Sequence, residues 1–98
     1  MTPEEAYYKC LDNYRRDKEL ELIIIKDPYY AYQYARDLIK KRWIEAENII
    51  STDSWYAYLY AENVIQGKLP ENMHNAMLLY ADHWSKRYFN YIKNRSQT

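Results

Sequence analysis

Apolar and polar positions between Asp27 and Lys40 separate onto two sides of a helix. Ala31, Tyr34, Ala35, Leu38 and Ile39 recur at the i, i+3, i+4, i+7, i+8 spacing, while Arg36, Asp37 and Lys40 fall opposite. Asp27 stands where a side chain can accept from the free N–H groups of a first turn, and Pro28 suits the first helical position. An amphipathic helix starting at Pro28 is predicted.

The same pattern returns with a period of 26 residues, Asp27 to Asp53, so that "DPYYAYQYARDLIKKRWIEAENII" lies over "DSWYAYLYAENVIQGKLPENMHNA". The second stripe is Ala57, Tyr60, Ala61, Val64 and Ile65, so the repeat preserves a buried face. After "KKRW" the pattern resets at Ala46, Ile49 and Ile50, and after "GKLP" at Met73, Ala76 and Met77, with Gly67 suited to a helix end and Pro70 to a new first turn. Each unit therefore reads as helix, short turn, helix. A degenerate unit precedes them: Thr2-Pro3-Glu4-Glu5 resembles a capping box, Tyr7, Cys10, Leu11 and Tyr14 form a stripe, and Leu20, Ile23 and Ile24 a short second helix. From Met73 through Trp84 to Ile92 one stripe continues without a breaker, which predicts a long closing helix. The expected fold is all-α, a single domain over 1–98 with units 2–25, 27–50 and 53–77, the last running into a helix to about 93. Stacked units of this kind form a small helical-repeat bundle or a short α-solenoid.

Composition sharpens this reading. The single glycine and three prolines leave few residues for β-turns. Fourteen basic and fourteen acidic side chains cancel, so there is no net pull toward nucleic acid or an anionic membrane. Cys10 has no second cysteine to pair with, and "MTPEEAYYKC" lacks a secretory pattern, which points to a reducing, cytoplasmic setting. The longest apolar run, Leu22 to Ile25, is far short of a membrane span.

Catalytic and ligand-binding motifs are hard to build from these residues. His74 and His83 lie about half a turn out of phase, and no pair has metal-ligand spacing. Ser51, Ser54 and Ser85 lack the context of a nucleophile, and Cys10 sits on an apolar stripe. Glu45 and Glu47 point to different sides of a first helical turn, where they complement the helix dipole. With Gly67 alone, no glycine-rich phosphate loop forms. Neither enzymatic activity nor a cofactor is expected.

The thirteen tyrosines divide by helical phase. Tyr34 and Tyr60 lie within the apolar stripe and belong to the core, while Tyr30, Tyr32, Tyr56 and Tyr58 lie on its shoulders. Tyr29 and Trp55 occupy matching positions that point away from the stripe. These six aromatic residues are the candidate protein-binding set. Arg15, Arg16, Lys40, Lys41, Arg42 and Lys68 close the first helix of each unit and are candidate phosphate contacts for an alternative, nucleic-acid-binding reading. Past Asp82, Lys86, Arg87, Lys93 and Arg95 stand without an acid. Self-assembly through open stack faces is a further alternative.

The two copies resemble a short repeat, D-P-x-x-A-Y-x-Y-A-R-D-V-I-K-G-R-W-P-E-A-E, that recurs in uncharacterised proteins of bacteriophages and giant viruses. The first copy has Lys41 where that pattern has Gly and Ile44 where it has Pro; the second keeps Gly67 and Pro70 but lacks the Trp and the second Glu. The resemblance implies a phage or viral setting, a host-cell location and a host protein as partner, such as a component of a defence system. It transfers no catalytic residue.

Overall fold

The computed structural model describes residues 1–96, and among these the chain is all-α with no strand. Seven helices follow one another: α1 (Pro3–Asn13), α2 (Lys18–Ile24), α3 (Pro28–Tyr34), α4 (Glu47–Ile50), α5 (Ser54–Tyr60), α6 (Glu71–Tyr80) and α7 (His83–Ser96). A 3₁₀ turn, Ile44–Ala46, leads into α4, and α3 and α5 continue as wider π turns at Ala35–Ile39 and Ala61–Ile65. The first helices of the units touch in succession, α1 to α3 to α5 to α7. A short stack of 40 × 26 × 19 Å results.

Local chemistry sets the helix starts. Thr2 and Glu5 exchange hydrogen bonds as a capping box. Asp27 accepts from the N–H groups of Tyr29 and Tyr30, and Asp53 from those of Trp55 and Tyr56. The small residues Ala6, Ala31, Ala35, Ala57 and Ala61 are fully buried, which lets neighbouring helices approach closely around Tyr34, Tyr60 and Tyr88. Cys10 is buried on its stripe as well, and burial raises its thiol pKa.

Three features depart from the sequence reading. The closing helix is two helices: Ala81 turns left-handed at φ 49°, and Asp82 then caps α7 by accepting from the Ser85 N–H. The stripe residues at the break, Tyr80 and Ala81, are exposed, while Met73 and Met77 before it and Tyr88 after it are buried. The left-handed residue that ends the first helix of the third unit is Gln66, at φ 60°, and not the adjacent Gly67. Finally, the degenerate register of the first unit has a cause in the π turns. Between the buried small residue and the left-handed end, α1 runs from Cys10 to Tyr14, whereas α3 runs from Ala35 to Lys40 and α5 from Ala61 to Gln66. Each later helix carries one residue more.

No helix among the described residues is long and apolar enough to cross a membrane.

Candidate functional site

The core tyrosines sit at the junctions between units. Tyr34 donates from its hydroxyl to Glu21 Oε2 at 2.7 Å, and Arg16 grips the same carboxylate through Nε and Nη2 at 2.8 and 2.9 Å. One period on, Tyr60 donates to Glu47 Oε2 at 2.8 Å while Arg42 forms the matching fork at 2.8 and 3.0 Å. The Tyr60 oxygen also accepts from the Trp43 N–H at 2.8 Å. Burial works against ionisation of Glu21, but the bonds from Arg16 and Tyr34 outweigh it and leave its carboxyl below the ordinary value. Glu47 is thus a buried hub, and not the dipole-complementing surface acid that its spacing from Glu45 predicts.

These bonds also redefine the basic clusters. Arg16 and Arg42 are committed to carboxylates inside the fold, and Lys40 donates to the Tyr14 hydroxyl at 3.0 Å with its ammonium over that ring. Arg15, Lys41 and Lys68 remain exposed and have no ion pair among the described residues. The six candidate phosphate contacts therefore do not act as one free edge.

The shoulder tyrosines divide. Tyr32 and Tyr58 are 2% and 6% exposed, so neither can meet a partner as the helical wheel predicts. Tyr32 bridges units by a hydrogen bond, as Tyr7 does, and Tyr58 packs its ring against Trp84 and Tyr91 of α7. Tyr7 on α1 donates to Asp37 at 2.7 Å, and the Tyr32 hydroxyl accepts from Asn63 at 2.8 Å. The Arg36 fork holds the Asp37 carboxyl below its ordinary value despite burial, and Tyr7 adds to this. Tyr30 and Tyr56 are half-buried.

Tyr29 and Trp55 do face outward, at 39% and 44% exposure. Each ring springs from a backbone N–H held by a capping aspartate, at 2.9 and 3.0 Å, so the main chain beneath it is fixed. Their rings are links in an unbroken line. From Tyr8, 49% exposed, centroids follow at 5.0 Å to Tyr7, 5.6 Å to Tyr30, 4.8 Å to Tyr29 and 5.3 Å to Tyr56. The line continues 5.3 Å to Trp55, 5.5 Å to Trp84 and 4.8 Å to His83. An aromatic ridge thus crosses the helix starts from α1 to α7.

Tyr8, Trp84 and His83 were not among the six aromatic candidates, although Asp82-His83-Trp84 echoes Asp53-Ser54-Trp55. Arg16-x-x-Glu19-x-Glu21 and Arg42-x-x-Glu45-x-Glu47 were also legible as one motif, with Lys68, Glu71 and Met73 its altered third copy. No family model, curated protein or solved structure matches this chain.

Proposed function

We propose that this chain is a non-enzymatic interaction protein that holds a partner protein against the aromatic ridge. The observation that carries this reading is the continuous line of rings, with Tyr8, Tyr29 and Trp55 exposed at successive units. Tyrosine and tryptophan give large contact area with little rotamer entropy to lose, and rings braced by their neighbours lose less still. The phage or viral setting and a host protein as the partner rest on the resemblance of the repeat alone.

The alternatives gain less support. Nucleic-acid binding along the helix ends loses Arg16 and Arg42 to internal carboxylates. End-to-end assembly through α1 meets exposed Lys9 at the place that Tyr34 and Tyr60 fill in later units.

The test is capture of a partner from host lysate by the wild-type chain and by a Tyr29→Ala/Trp55→Ala double variant. Loss of two central aromatic contacts is expected to weaken binding by at least about thirtyfold. Equal capture by a double variant with unchanged helical circular dichroism would overturn the proposal.

A further inference from the structure

At the first two junctions the side of the stack is sealed by a tyrosine hydroxyl meeting the next helix, Tyr7 with Asp37 and Tyr32 with Asn63. Tyr58 occupies the same place at the third junction, but donates to Glu62 on its own chain segment at 2.7 Å. α7 has no π turn to present an equivalent of Asp37 or Asn63. A cleft of about 450 Å³ opens there, lined by Tyr58, His83, Arg87, Asn90, Tyr91 and Asn94.

The lining is chemically consistent. His83, Arg87, Asn90 and Asn94 follow one stripe of α7 and bring a guanidinium and two amides to the cleft, while Tyr58 and Tyr91 meet edge to face at 6.4 Å as its wall. Arg87 lies over the rings of Tyr58 and Trp84, at 5.6 and 5.7 Å, and pairs with no carboxylate among the described residues. No acid follows Asp82 in sequence, and the Glu62 carboxylate beside this wall is engaged by the Tyr58 hydroxyl. An anchored guanidinium without a carboxylate suits a phosphate, whose oxygens match its planar fork. Asparagine amides donate and accept, as the edge of a base requires, and the half-buried Tyr91 ring offers stacking surface. The volume falls in the range of small-molecule sites.

We infer that this cleft binds a nucleotide unit, free or as part of a single strand, with its phosphate on Arg87 and its base against Tyr91 and the asparagines. The cleft adjoins the α7 end of the aromatic ridge, with which it shares His83, and lies away from Tyr8 and Tyr29.

Isothermal titration calorimetry with AMP, adenosine, inorganic phosphate and a short oligoadenylate tests this. Saturable binding of AMP or the strand is expected, with adenosine and phosphate each weaker than AMP, and with Arg87→Gln and Asn94→Ala each weakening it at least tenfold. Tighter binding of the strand than of AMP would assign the strand as the source; equal binding would assign the free nucleotide. Asn94→Ala, at an exposed position, decides the matter if Arg87→Gln disturbs the fold. Tyr29→Ala should leave this binding intact whatever it does to protein capture. The inference is overturned if neither AMP nor the strand saturates into the millimolar range, or if binding is unchanged in a variant that keeps wild-type melting.

Discussion

The junction around Tyr60 and the junction around Tyr88 solve one packing problem with different chemistry. In both, a buried tyrosine oxygen accepts from a backbone N–H of the preceding loop, that of Trp43 or of Leu69. In the first, the hydroxyl proton goes to a carboxylate gripped by Arg42. In the second, Met73 stands where Glu47 would recur, and the Tyr88 hydroxyl lies 2.7 Å from His74 Nδ1. The Tyr88 oxygen accepts from Leu69, and a neutral imidazole, the form that burial favours, can take the hydroxyl proton at Nδ1. What the fold requires is the tyrosine-to-backbone bond; the acceptor can be charged or neutral. The neutral version leaves Lys68 without the carboxylate that Arg16 and Arg42 enjoy.

Breaking the charged junction should have the largest effect. Glu47→Ala strands the Tyr60 hydroxyl in the core and returns the half-exposed Arg42 to water, so a loss of about 1.5–3 kcal/mol is expected in urea denaturation. A loss below about 0.5 kcal/mol would show that the carboxylate is dispensable.

Acid should next separate the Tyr88 junction from the Tyr34 junction, which is built from the same Tyr–Glu–Arg set as that of Tyr60. Burial lowers the His74 pKa, as does the charge of Lys68. A depressed folded value means that the unfolded chain binds the proton more readily, so this contribution to stability is complete above about pH 6.5 and is lost as pH falls toward the folded value. The Glu21 carboxyl is also depressed, and its contribution persists until pH falls below about 4.3. Hydrogen exchange corrected for intrinsic rates should therefore show α6 and α7 loosening in mild acid while α2 and α3 remain protected. Simultaneous loss of protection in all four helices would contradict the distinction.

The smallest effect should come from relieving backbone strain beside the neutral junction. Gln66 is left-handed at φ 60°. Gln66→Gly is expected to raise stability by about 1 kcal/mol or less, read as an increase in melting temperature. A decrease would mean that the Gln66 side chain contributes more than its backbone costs.

Much of the first and middle units was legible because the signals there are local. Asp27, Asp53 and Thr2 cap as their positions require, and Tyr34, Tyr60, Tyr29 and Trp55 lie on the sides that helical phase assigns. The failures involve a neighbour. A wheel drawn for one helix puts Tyr32 and Tyr58 at the rim, but the next unit covers them. Arg16 reaches Glu21, and Arg42 reaches Glu47, from a loop to a helix at five residues, outside the spacing rules for pairs within a helix. The break at Ala81 is hidden because neither glycine nor proline marks it.

The π turns also keep a record of rank within the array. α3 and α5 each satisfy a lateral tyrosine of the preceding layer, and both carry the surplus residue; among the described residues no helix precedes α1, and it lacks one. α7 lacks it too, and Tyr58 is left to Glu62. Deleting one residue from Ala61–Ile65 would convert an interior layer into a terminal one and move the open seam one unit inward.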